Sequence, residues 1–73
     1  MEERIIEIIS GITKIEKEEL LEKKTEKGVW NSMNHIEIIF ALEEEYDIMF
    51  EQEELSTLTT IEKIVESVMR KAE

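Results

Sequence analysis

Apolar residues recur at helical spacing near both ends of the chain. The N-terminal stripe predicts a first helix, in which Gly11 weakens the last turn because glycine costs about 1 kcal/mol relative to alanine. The C-terminal stripe predicts a last helix, whose end carries Arg70 and Lys71 where cations suit the helix dipole. The two stripes consist of Ile5, Ile8, Ile9, Ile12 and Ile15, and of Ile61, Ile64, Val65, Val68 and Ala72.

The last helix also has a sequence signal for its beginning. Thr59 is followed three positions later by Glu62, which is the spacing of a capping box. In that motif the hydroxyl of the cap accepts from a free backbone N–H, and the glutamate reaches back to the backbone of the cap. The pattern therefore predicts Thr59 as the N-cap.

A central helix carries apolar residues on two faces. Asn31 and Ser32 both suit an N-cap, so we expect this helix to begin at one of them and to run to Glu45 or Tyr46. The second face indicates either a helix that is buried most of the way round or an exposed docking surface. The core face holds Ile38, Ile39, Leu42 and Tyr46, and the second holds Met33, Ile36 and Phe40 among Glu37 and Glu44.

Two segments connect the predicted helices. We interpret residues 16–31 as a long loop with one helical turn around residues 18–21 and a break at Gly28. Residues 47–58 leave room for a short helix near residues 51–55. No alternating strand pattern occurs. The sequence therefore predicts an all-α fold, a single domain over residues 1–73 built as a small antiparallel bundle of three long helices plus one short helix.

The composition limits the available chemistry. The absence of cysteine excludes disulfides, thiolate zinc sites and cysteine nucleophiles. With one histidine, we expect no histidine-based metal site. The N-terminus begins with the acids Glu2 and Glu3, unlike a signal peptide, and no apolar run reaches the roughly 20 residues of a membrane span. We therefore expect a cytoplasmic protein.

Charge is unevenly distributed along the chain. The formal net charge is −10, and residues 28–62 hold nine acids and no lysine or arginine. Nucleic acids and anionic membrane surfaces need cationic contacts, so we expect neither as a partner. The acidity instead favours protein partners with basic patches.

Candidate chemistry centres on Ser32, which taken alone indicates a capping residue. His35 lies one turn further on, but a hydrolytic triad also needs an orienting acid and an oxyanion hole, and the sequence supplies neither recognisably. We therefore do not expect an enzyme. Trp30 indicates a packing anchor or, alternatively, a partner contact. The glutamates at 43–45 lack the pattern of a calcium loop and indicate a solvated face.

The segment 30–48 resembles the acyl carrier proteins. The hallmark of that family is Asp-Ser-Leu at the start of the second helix, followed by a glutamate, aliphatic residues and a run such as Ala-Leu-Glu-Glu-Glu-Phe-Asp. The similarity continues without a gap into the last helix, whereas the first helix fits in character only. Trp30, directly before the triplet, is similar to stand-alone carriers of specialised pathways. The matching residues are Asn31-Ser32-Met33, Glu37 and Ala41-Leu42-Glu43-Glu44-Glu45-Tyr46-Asp47.

This resemblance implies that Ser32 accepts a 4′-phosphopantetheine arm from coenzyme A, transferred by a separate phosphopantetheinyl transferase with Mg²⁺. The thiol of the arm then holds acyl intermediates as thioesters for enzymes of a fatty-acid, polyketide or other specialised acyl pathway. Asn31 and Met33 are the flanking cofactor-binding residues. The position is suitable, because a phosphodiester at a helix N-terminus meets free N–H groups and the positive end of the dipole. We expect such a carrier to be a monomer.

The resemblance also implies that the central helix is the recognition helix for partner enzymes with basic patches, which transfer or activate acyl groups. Carboxylates would orient the basic partner, and apolar side chains would supply contact area. The implied partner-binding residues are Met33, Ile36 and Phe40 with Glu37, Glu43 and Glu44. The implied interior positions, which can shelter an acyl chain, are Ile38, Leu42, Tyr46, Phe50 and Leu58.

Three departures from the family pattern keep other interpretations open. Asn31 replaces the usual Asp, which removes a charge beside the attachment site and predicts slower modification or a dedicated transferase. Met33 replaces Leu with little change in volume, and Glu51 stands where the family has Pro. An aminoacyl or peptidyl carrier is one alternative, although the acidity argues against it. An unmodified interaction module is the other, and Asn31 favours it.

Overall fold

The computed structural model describes residues 2–72, and this part of the chain forms helices without any strand. The predicted all-α class is therefore confirmed. The predicted set of three long helices plus one short helix is not matched, because a further short helix follows the first one. The helices are α1 (Glu2–Thr13), α2 (Lys17–Glu22), α3 (Ser32–Tyr46), α4 (Gln52–Leu55) and α5 (Ile61–Ala72).

Helix α3 occupies the centre of the packing. It contacts α1 and α5, and α1 also contacts α2. The core between them is entirely aliphatic apart from Phe50, so the fold is held together mainly by apolar burial. Its members are Ile5, Ile6, Ile9, Leu20, Ile38, Ile39, Leu42, Phe50, Leu58, Ile61, Ile64, Val65 and Val68.

The first helix is shorter at its C-terminal end than the apolar stripe predicts. Lys14 adopts a left-handed conformation with φ of 65°, which stops the helix after Thr13. The Ser10 hydroxyl then donates to the Ile15 carbonyl at 2.6 Å, and the Ile15 N–H donates to Thr13 Oγ1 at 3.3 Å. Ile15 therefore still packs against the core, but as a residue of the turn rather than of the helix.

The interpretation of residues 16–31 as a loop is wrong for its first part. A complete six-residue helix, α2, stands where one turn was expected. Its anchor is Leu20, which has no exposed surface, whereas most of its other residues are exposed. One buried leucine and strong helix formers are enough here because Leu20 belongs to the core and α2 packs against α1. The predicted break at Gly28 is present, with φ of 67°.

The start of the last helix also differs from the prediction. Thr60, not Thr59, lies at the cap position, and its Oγ1 accepts from the Lys63 N–H at 3.2 Å. In the predicted capping box, the Glu62 N–H would donate to the Thr59 hydroxyl. It donates instead to the Lys24 carbonyl at 3.0 Å. A carbonyl from the loop after α2 thus satisfies one of the free N–H groups of this helix and favours the observed register.

The segment between α3 and α5 contains the predicted short helix as α4. Glu54 ties this helix to its neighbours: its Oε2 accepts from the Glu51 N–H at 2.9 Å and lies 2.6 Å from Lys71 Nζ. These contacts hold the pKa of Glu54 below its usual value, the backbone hydrogen bond from Glu51 being the larger cause. Among residues 2–72, no helix is both long and apolar enough to cross a membrane.

Candidate functional site

Ser32 is the first residue of α3, and its side chain is exposed. Asn31 takes the capping position: its Oδ1 accepts from the Asn34 N–H at 2.8 Å, and its carbonyl accepts from the His35 N–H at 3.1 Å. The Ser32 hydroxyl makes no hydrogen bond with any residue between 2 and 72. The interpretation of Ser32 as a simple capping residue is therefore wrong, because Asn31 is the cap and the Ser32 hydroxyl has no partner among the described residues.

The second apolar face of α3 points to solvent. Met33 is 72% exposed, Ile36 is 55% exposed and Phe40 is 63% exposed. We call these three residues the α3 stripe. Their exposure rules out the alternative in which α3 is buried most of the way round. The α3 stripe begins directly after Ser32, so a protein bound to the stripe would lie close to the serine.

The acids predicted to flank this stripe fall into two groups. Glu37 and Glu44 are exposed, and neither forms an ion pair within the described residues. Glu43 is only half-exposed, and its Oε2 accepts from the Phe50 N–H at 2.9 Å, so it holds the segment after α3 in place. The structure thus leaves Glu37 and Glu44 available to a partner and gives Glu43 a contact within the fold.

Trp30 and His35 form a pair beside Ser32 that the sequence analysis did not predict. Trp30 Nε1 donates to His35 Nδ1 at 3.2 Å, and the two rings are stacked with centroids 6.3 Å apart. Both side chains are half-buried. Trp30 lies immediately before the cap, and His35 lies four residues after it. A hydrophobic staple has this spacing, because the residues at these two positions pack against each other at the start of the helix. That spacing is the signal that would have identified the pair.

The direction of this hydrogen bond decides what His35 does. A catalytic histidine donates from Nδ1 to an orienting carboxylate, whereas Nδ1 of His35 accepts from an indole N–H. Burial lowers the pKa of His35, which favours the neutral imidazole. In the neutral imidazole, this hydrogen bond leaves the single ring proton on Nε2.

A groove of about 300 Å³ opens next to Ser32. The loop 26–31, the first turn of α3 and the segment 55–59 form its walls. We call it the Ser32 groove; its walls include the Trp30–His35 pair, Leu55 and Leu58. Leu55 and Leu58 contribute two aliphatic side chains to the wall from this segment, and Thr59 contributes a polar one. A flexible group attached to Ser32 would have a mostly apolar surface within reach.

The site contains no candidate metal centre among residues 2–72, since no three potential ligand side chains converge there. Comparison with known proteins adds no family: no protein-family model matches this sequence, and a search of the curated proteins finds no match.

Proposed function

We propose that this chain is an acyl carrier, a cytoplasmic monomer that holds acyl groups on a 4′-phosphopantetheine arm attached to Ser32 and is not itself an enzyme. The observation that carries the proposal is the exposed, unbonded hydroxyl of Ser32 at the first position of a helix capped by its neighbour. The bound arm would supply a thiol, which a chain without cysteine lacks.

The surroundings of Ser32 fit a phosphopantetheine group. At the start of α3, Asn31 already satisfies the Asn34 N–H, and the N–H groups of Ser32 and Met33 have no partner within residues 2–72. They and the helix dipole favour a phosphodiester at this point. The Ser32 groove adds apolar surface next to the attachment point.

The attachment is a phosphoryl-transfer reaction carried out by a separate transferase. The Ser32 oxygen bonds to the β-phosphorus of coenzyme A, the P–O bond of the pyrophosphate breaks, and 3′,5′-ADP leaves. A base of the transferase takes the hydroxyl proton.

The α3 stripe, with Glu37 and Glu44 beside it, supplies an apolar and acidic surface for an enzyme with a basic patch.

Mass spectrometry tests this proposal directly. We expect incubation with coenzyme A, Mg²⁺ and a broad-specificity transferase to add the mass of one phosphopantetheine group. Ser32→Ala should abolish the addition. Ser56→Ala is the matched control, because Ser56 is also exposed but its hydroxyl donates to the Glu53 carbonyl. An unchanged mass, while a known carrier is modified in the same mixture, would contradict the proposal.

An unmodified interaction module is the second candidate, because Asn31 stands where the acyl carriers have Asp. Such a module would bind partners through the α3 stripe alone. The two candidates differ in the protein purified from its native host: a carrier bears the arm on Ser32, and a module has a bare serine. Loading assays with adenylating enzymes would identify an aminoacyl or peptidyl carrier.

A further inference from the structure

The Ser32 groove has a hydrogen-bond donor in an otherwise mostly apolar wall. Because His35 Nδ1 accepts from Trp30, the single proton of the neutral imidazole is on Nε2. That N–H has no hydrogen-bond partner between residues 2 and 72, and the imidazole lines the groove. The Trp30 ring holds the imidazole by stacking and by hydrogen bonding, so the donor has a defined position.

The other walls suit a chain with apolar segments between its polar groups. Leu58, which is 3% exposed, and Leu55, which is 37% exposed, both line the groove with aliphatic side chains. Ligand sites generally combine such apolar walls with a few placed polar groups. A pantetheine chain has this chemistry, since two methyl groups and short methylene segments alternate with two amide groups.

We propose that the Ser32 groove is the resting site of the pantetheine arm, with Trp30, Leu55 and Leu58 against its apolar segments and His35 Nε2–H donating to one of its amide carbonyls. This inference rests on the proposed attachment at Ser32. Tethering keeps the arm at a local concentration in the millimolar range, so weak contacts are enough to populate the groove.

NMR spectroscopy of the modified protein tests the resting site. We expect the Trp30 indole N–H and the His35 imidazole nitrogens to shift when the arm is attached. Nuclear Overhauser contacts should join the two methyl groups of the arm to Trp30 and Leu58. The emission of Trp30, the single tryptophan, should also move to shorter wavelength as the arm covers the indole.

Two leucine variants show whether the arm binds specifically in the Ser32 groove or contacts apolar surface in general. Leu55→Ala should weaken the contacts between the arm and Trp30. Leu21→Ala is the matched control, because Leu21 is a similarly exposed leucine on α2, outside the groove, and should leave them unchanged. His35→Ala should return the amide carbonyl signal of the attached arm to that of a free arm, because the Nε2–H donor is gone.

The outcomes distinguish this inference from the function on which it rests. If the mass shows no modification of Ser32, both are overturned. If Ser32 is modified but the shifts are confined to residues 31–33, the carrier function stands and the resting site is overturned. Equal effects of Leu55→Ala and Leu21→Ala would likewise overturn the groove as the site of contact.

Discussion

The free hydroxyl of Ser32 depends on which of two adjacent residues caps α3. Asn31 and Ser32 both have a side-chain oxygen able to accept from the first turn, so the sequence leaves the choice open. In the structure Asn31 is the cap, and the Trp30–His35 pair lies at the staple positions that go with this register. If α3 began one residue later, Ser32 would be its N-cap, and the Ser32 hydroxyl would accept from a backbone N–H of the first turn.

The Trp30–His35 pair gives the protein a pH dependence that can be measured. Burial lowers the pKa of His35, so the folded state favours the neutral imidazole. This contribution to stability is present above the ordinary histidine pKa of about 6.5 and is lost as the pH falls through the lower pKa of the folded state. Protonation also removes the acceptor of the Trp30 hydrogen bond.

We therefore expect the urea midpoint of the unmodified protein, measured relative to that of His35→Gln, to fall as the pH is lowered from about 8 to about 5, the range in which histidine titrates. The fluorescence of Trp30 should change over the same range, with its midpoint below about 6.5. His35→Gln keeps a neutral acceptor and should remove both effects. A fluorescence midpoint above the ordinary histidine pKa would contradict this account of the pair.

The five helices were predictable to different degrees. The bounds of α3 lie within the predicted ranges, with Asn31 the cap of the two candidates, and its core stripe is buried except for the half-buried Tyr46. The length of α2 was underestimated, because the periodicity of a mostly charged segment does not reveal that its one buried leucine joins the core and that α2 packs against α1. The cap of α5 was assigned one residue early, because a carbonyl of a distant loop binds the Glu62 N–H. The errors thus concern contacts between elements.

Two isoleucines on α3 test the division of this helix into a core face and an exposed stripe. Ile38 has no exposed surface, whereas Ile36 is 55% exposed. Ile38→Ala should lower the free energy of unfolding by about 2–5 kcal/mol, because it leaves a cavity in the core. Ile36→Ala should change it by less than about 0.5 kcal/mol, as is usual for surface positions.

Urea unfolding of the two variants measures this difference. The same proteins can then be assayed as substrates of the transferase. Under the proposed function, Ile36→Ala should raise the KM for the carrier although its fold is intact, since it removes apolar contact area from the α3 stripe. Equal destabilisation by both substitutions would show that Ile36 is buried in solution. That result would remove the stripe as a docking surface.

The whole molecule is strongly acidic, and its acids are concentrated around the candidate site. Nine acids and no lysine or arginine lie within residues 28–62 of a chain whose net charge is −10. Some of this charge is compensated by distant cations: Arg4 contacts Glu45 at 3.2 Å, and Lys71 contacts Glu54. The sequence predicts the excess charge but not these pairs, because they join residues far apart in the chain. The uncompensated remainder repels itself in the folded state.

Self-repulsion and ion pairing respond to salt in opposite directions, and repulsion should dominate here. Apart from the half-buried Lys71–Glu54 pair, the ion pairs are largely solvent-exposed and contribute little to stability, whereas acids outnumber bases by nineteen to nine. Raising the ionic strength from about 0.01 M to about 0.15 M shortens the Debye length from about 30 Å to about 8 Å, so we expect the melting temperature to rise.

Glu44→Gln, which removes an acid without an ion pair among residues 2–72, should reduce this rise. Lys27→Gln, which removes an exposed lysine, should enlarge it. Calorimetry of the three proteins at both salt concentrations measures the effect. A melting temperature that falls with salt would mean that the ion pairs, rather than the excess of acids, control the electrostatic stability of the fold.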